Sequence, residues 1–203
     1  MKKISLLGCG RLGFPLAIKL LHEGYSIKGS TTTEFKIQKL KKVGITPYLI
    51  NISDDLPQDF FKADILVLTL PYKKTFAKPE IYKNRIKLVC EKVLKSCIQH
   101  IVFTSSSSVY PKDGRYYLTS DNFEPRNQRA EVLLECEQIL NKLKDVSVIS
   151  IRLGGIYGEG RKIKSSSQER RLISHEEALL HIKTAIEKVG ISECVNGFNN
   201  LVL

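Results

Sequence analysis

Short apolar runs alternate with stretches whose apolar residues recur every three or four positions, almost from the first residue. Residues 4–7 (ISLL) are a run of the first kind. Residues 11–22 are of the second kind, with Leu12, Leu16, Ala17, Leu20 and Leu21 at helical spacing and Gly24 placed to end the helix. A second strand is predicted over 25–29, a basic helix over 33–42 closed by Gly44, and a third strand over 45–50. Residues 63–70 (ADILVLTL) are almost continuously apolar, as suits a strand covered on both faces. A helix over 79–95, a strand over 100–104 and a polar loop bearing tyrosines follow. The pattern closes with a helix over 126–144, a strand over 146–153 and a helix over 174–189. Such alternation predicts an α/β fold with helices on both faces of a parallel sheet, and right-handed crossovers favour the doubly wound order. The stretch 162–168 (KIKSSSQ) reads as a surface loop.

Composition narrows the function classes. The chain has 203 residues, 42% hydrophobic and 26% charged, which excludes wholesale disorder and suits one domain or one domain and a fragment of a second. Its net charge of +11 is lopsided: residues 1–100 hold 18 basic and 8 acidic side chains, residues 101–203 hold 14 and 13. The first half therefore attracts anions. The basic helix with Lys36, Lys39, Lys41 and Lys42 lacks aromatic platforms and a recognition motif, so nucleic acid is not the expected partner. No apolar run approaches the roughly 18 residues of a membrane span, and the apolar core over 4–7 is too short for a secretion signal. Cys9, Cys90, Cys97, Cys136 and Cys194 are odd in number, with no CxxC pair, which points to a reduced, cytoplasmic setting. His22, His100, His175 and His181 are scattered, so no metal site is expected. GxSxG and Walker A patterns are absent.

The strongest motif is Gly8-Cys9-Gly10-Arg11-Leu12-Gly13. It is a GxGxxG lying directly after a predicted strand and opening a predicted helix, the context that makes the pattern specific. Gly8 permits the tight turn, Gly10 leaves room for a pyrophosphate and Gly13 lets helix and strand approach. Free amides and the helix dipole then face the phosphates. The chemistry implied is binding of NAD or NADP. An acidic residue about 20 positions on would hold the ribose hydroxyls of NAD. The chain instead has Gly29, Ser30, Thr31, Thr32 and Thr33, with Glu34 inside the next predicted helix. Ser30, Thr31 and Thr32, with Lys36 and Arg11 in reach, favour the 2′-phosphate of NADP, although residues 30–33 also read as a helix cap. Leu70 and Pro71, at the end of the ADILVLTL run, complete the expected cofactor contacts.

Three further segments resemble one family. The run Ile101-Val102-Phe103-Thr104-Ser105-Ser106-Ser107-Ser108-Val109-Tyr110 resembles the "SS-x-x-VYG" strand end of the extended short-chain dehydrogenases/reductases, the nucleotide-sugar epimerases and dehydratases. The segment from Arg152 through Tyr157 and Gly158 resembles their "R-x-x-x-x-YGPG", and Arg171, His175 and Ala178 fall on their "R-x-x-H-V-x-D-x-A" helix start. The GxGxxG turn is similar to that of the atypical, epimerase-like subgroup. The resemblance implies an NAD(P)-binding Rossmann domain over 1–158, completed by a short segment over 159–203 that holds a helix and a last strand, for which Cys194–Asn199 is the similar stretch. It also implies hydride exchange on a nucleotide sugar or a small carbonyl or hydroxyl substrate, and a homodimer.

Two departures from the family qualify that activity. Its chemistry uses a Ser or Thr, a Tyr and a Lys. Ser106 falls on the hydroxyl position, but the helix register puts Asn127 at the tyrosine position and Glu131 at the lysine position. An amide does not transfer protons at neutral pH, and a carboxylate raises the pKa of a nearby phenol. Tyr116 or Tyr117 is the available phenol, and Ser106 with Tyr117 is the candidate catalytic pair. Arg115, Arg126 and Arg129 are the available cations. The second departure is a truncated C-terminal substrate region, only about 45 residues after Gly158. Whether the chain is an enzyme is left open, the alternative being an inactive NAD(P)-binding sensor or partner subunit.

Overall fold

The computed structural model describes residues 2–51, 55–72, 79–159 and 169–202. The expected stretch over 162–168 lies outside the described residues. Seven strands form one parallel sheet: β1 (Lys3–Leu7), β2 (Ser26–Thr31), β3 (Thr46–Leu49), β4 (Ile65–Leu68), β5 (His100–Ser106), β6 (Ser147–Leu153) and β9 (Glu193–Gly197). Their order is β3-β2-β1-β4-β5-β6-β9. The helices are α1 (Gly13–His22), α2 (Phe35–Lys42), α3 (Pro79–Val93), α4 (Gln128–Asn141) and α5 (His175–Glu187). This is the expected doubly wound architecture.

Strand alternation sorts side chains into two cores. Leu7, Leu66, Leu68, Ile101 and Phe103 pack with α3 and α4 through Tyr82, Ile86, Leu133 and Leu140. Ile4, Leu6, Ile65, Val67 and Val102 pack with α1 and α5 through Leu16, Leu20 and Ile182. In β4 every residue is buried, alternate ones on opposite faces, which explains why ADILVLTL shows no polar period.

The chain winds outward from β1 to β3 and then, from β4, in the other direction. The crevice at the carboxyl ends of β1 and β4 is therefore the topological switch point, where ligands of open α/β sheets bind. β2 and β5 each run two residues past their expected ends, because Ser30 and Thr31 pair with Tyr48 and Leu49 of β3, and Ser105 and Ser106 with Arg152 and Leu153 of β6. A second sheet, not foreseen from the pattern, has order β10-β8-β7: β7 (Gly155–Tyr157) lies parallel to β8 (Glu169–Ser174), and β10 (Asn199–Val202) antiparallel to it. All five cysteines are free: Cys9, Cys90 and Cys136 are buried, Cys194 is half-buried and Cys97 is exposed.

Candidate functional site

The glycine turn follows β1 at the switch point. Gly8 has φ of +113°, a conformation that strains any L side chain, and a Cβ there would meet Thr69 at 3.1 Å. Gly13 begins α1 against the strand so closely that a Cβ would lie 2.1 Å from the Gly8 carbonyl oxygen. At Gly10 a Cβ would meet nothing within 4 Å, so the space beside that backbone is open. The turn is held from beneath. Gly8 N donates to Ser30 Oγ at 2.9 Å, Cys9 N to Ser30 O at 2.7 Å, and Thr69 Oγ1 to Gly8 O at 2.7 Å. The Cys9 thiol is buried behind the turn, and burial pushes its pKa up to about 12. The Leu12 amide has no acceptor among the described residues.

The hydroxyls expected to choose the nucleotide are mostly committed. Ser30 is buried and serves the turn, and Thr31 Oγ1 accepts from Thr33 N at 3.2 Å. Arg11 turns toward the second sheet, its Nη2 donating to Gly158 O at 3.0 Å. Thr32 and Lys36 are exposed at the end of β2 and in α2. Phe35 and Leu49, 78% and 49% exposed, form with Ile37 an open shelf whose lining also holds Glu34 and Gln38. Leu70 is half-buried and Pro71 exposed, both at the mouth of the crevice, and the Leu70 carbonyl accepts from Tyr82 Oη at 3.0 Å.

Beyond β4 most of the candidate side chains bond to one another or to main chain, although the buried Ser108 Oγ has no partner among the described residues. Ser106 Oγ accepts from Ser108 N at 3.2 Å and caps a 3-10 turn. Tyr117 is only 3% exposed, its ring stacked 5.4 Å from Tyr110. Its hydroxyl donates to Asp113 Oδ2 at 2.6 Å and accepts from Arg115 Nη2 at 2.7 Å. The carboxylate it feeds raises its pKa, the direction opposite to an activated phenol. No hydrogen bond joins Ser106 and Tyr117. Asn127 is the N-cap of α4, its side chain accepting from Ala130 N at 3.0 Å, and Glu131 is exposed.

Sequence reasoning missed a buried network beneath this region. Arg152 reaches Glu137 with Nη2 at 2.8 Å from Oε2, and Ser105 Oγ donates to Oε1 of the same carboxylate. Arg152 Nη1 also donates to Tyr110 Oη at 2.8 Å, which donates on to Asn196 Oδ1 at 2.7 Å. Arg171 stacks over Tyr110 with its guanidinium carbon 5.1 Å from the ring centre. The register pairs Ser105 with Arg152 and Arg152 with Asn196, the one signal that could have placed these residues together. Among the described residues, no group of three or more His, Cys, Asp or Glu could hold a metal ion, and no helix is long and apolar enough to cross a membrane.

The crevice, the order of the seven strands and the open glycine turn identify the architecture. It is the Rossmann-like fold of the NAD-dependent epimerases. UDP-N-acetylglucosamine 4-epimerase from Bacillus cereus superposes with a TM-score of 0.81 at 16% identity, over 97% of this chain and 75% of that one. UDP-glucuronic acid 4-epimerase from the same organism, solved in complex with UDP-glucuronic acid and NAD, gives 0.77 at 17% identity, over 97% and 77%. In sequence the chain is 35% identical over 170 residues to Protein YeeZ of Escherichia coli (strain K12), and the match spans 79% of this chain and 61% of that protein. No family model matches.

Proposed function

We propose that this chain binds a nicotinamide dinucleotide at the glycine turn and is an epimerase/dehydratase-like protein acting on a nucleotide sugar or a small carbonyl or hydroxyl substrate. The observation that carries the reading is the turn itself: open space at Gly10 and an unengaged Leu12 amide at the switch point of the sheet. Those features fit a pyrophosphate, which the amides and the N-terminal end of α1 would hold. Thr32 and Lys36 would meet the ribose or its 2′-phosphate, and the shelf of Phe35 and Leu49 offers apolar surface to a base. When bound, the dinucleotide supplies the nicotinamide that takes or returns a hydride. The solved neighbours that hold NAD and a UDP-sugar support this kind of ligand.

Fluorescence titration with NADH and NADPH tests the binding; no binding of either below about 1 mM overturns it. Lys36→Ala is expected to weaken NADPH several-fold and leave NADH unchanged if the 2′-phosphate is read there.

A second reading, a dinucleotide-binding sensor or partner subunit without turnover, is favoured by the commitments of Asn127, Ser106 and Tyr117. A panel of nucleotide sugars and small carbonyls, followed by nicotinamide absorbance, separates the two. Turnover abolished by Ser106→Ala or Tyr117→Phe supports hydride transfer, and silence across the panel supports the sensor.

A further inference from the structure

The peptide between Arg11 and Leu12 has two ends with different fates. Its carbonyl, Arg11 O, lies 3.0 Å from His175 Nε2. A carbonyl only accepts, so Nε2 carries the proton and donates. Its other end, the Leu12 N–H, finds no acceptor among the described residues. In a trans peptide these two groups point in opposite directions. A proton donated to the carbonyl therefore fixes the plane of the amide and polarises its N–H on the far side.

We propose that His175 is a positioning residue that aims the Leu12 amide at a phosphate of the bound ligand; the proposal rests on the dinucleotide reading above. His175 reaches the turn from 164 residues away and is 3% exposed. Its helix does not need it as a cap, because Ser174 and Glu177 form a complete capping box at the start of α5. The same corner holds the other end of Arg11, whose Nη2 donates to Gly158 O at 3.0 Å, and Glu159 Oε1 stands 3.4 Å from His175 Nδ1. The glycine turn is thus oriented from the far half of the chain, through a backbone carbonyl. The ligand chemistry served is a diphosphate; a nucleoside without phosphate gains nothing from it.

The test titrates ADP and adenosine into the full chain and its His175→Phe and His175→Gln variants. Phe keeps the ring without the donor, and the Gln amide restores a donor at about the reach of Nε2. His175→Phe is expected to weaken ADP about tenfold and leave adenosine unchanged, with His175→Gln within about threefold of the parent. Unchanged ADP affinity in His175→Phe, or an equal loss for adenosine, overturns the role of His175 while leaving the dinucleotide reading intact. A parent chain that binds none of ADP, NADH and NADPH overturns both. Should the Phe variant not fold, nitrogen-15 resonances of the parent decide. The Leu12 amide and His175 Nε2 are expected to shift together as ADP saturates, and a Leu12 shift with a stationary Nε2 overturns the proposal.

Discussion

The glycine turn and the strand ends of β5, β6 and β9 lie on the same edge of the sheet, and they spend their polar groups in opposite ways. At the turn, Ser30, Thr69 and His175 are all used on main chain, beneath or behind, and the turn is left with open space and a free amide. At the other strand ends, Ser105, Glu137, Arg152, Tyr110 and Asn196 bond to one another, and Asp113, Arg115 and Tyr117 do the same above them. A binding surface needs groups that the fold has fixed in place but not consumed. The first region meets that condition. The second is a polar core, and its stability depends on completeness: a fully paired buried network is tolerated, a half-paired one is costly.

Removing one member of the network should have the largest effect. Glu137→Leu leaves the Arg152 guanidinium buried and unpaired, which should cost about 3–5 kcal/mol in urea unfolding. If the folded fraction still binds NADH normally, the two regions are energetically separate; a parallel loss of binding would break the comparison. Gly13→Ala comes next, because its Cβ meets backbone that has no room to yield. A loss of about 1–3 kcal/mol is expected, with binding impaired as the turn shifts.

A smaller effect comes from His100, at the opposite end of the sheet, where Nε2 bonds to Ala185 O at 2.8 Å and Nδ1 lies 2.7 Å from Ser147 Oγ. Burial depresses its pKa below the ordinary 6.5. Above that value the imidazole is neutral folded and unfolded; below it the unfolded chain takes the proton first, so stability falls as the pH is lowered. The slope cannot exceed about 1.4 kcal/mol per pH unit for one proton. Thermal unfolding across pH 5 to 8, with His100→Asn as the control that flattens this component, checks it. Smallest in stability is Gly10→Ala. It should change unfolding by less than about 0.5 kcal/mol and yet weaken NADH at least tenfold, since the added methyl meets no protein atom and enters only the open space beside the turn. Unaltered NADH affinity in Gly10→Ala would contradict the reading of that space.

Much of the first half was readable along the chain because its determinants are local. A strand, three glycines and a helix within twenty residues of one another state the turn, and the apolar run of β4 states its two-sided burial. The long-range pairings were not readable. Arg152 finds Glu137 only because β6 lies over α4, and Arg11 finds His175 and Gly158 only after the chain has folded back from its far half. Arg11 read alone is a cation available to a phosphate ester; folded, it is tied to the second sheet. Tyr117 read alone is a loop phenol, and its burial depends on Tyr110 and on Arg171, which arrives from β8. The second sheet was missed because its short strands, GIY, ERRLIS and NNLV, carry no continuous apolar run like that of β4.

Four of the five thiols turn the two packed faces of the sheet into separately readable clocks. Cys97, exposed just beyond α3, should react with a disulfide reagent at the rate of a free thiol, and it offers a single attachment point for a dye. Cys9 lies in the face built on α1 and α5, and Cys90 and Cys136 lie in the face built on α3 and α4. Burial raises these three thiols to about 12, 11 and 12, so each reacts only when its own face opens. Ligand that seats on the glycine turn should slow Cys9 first.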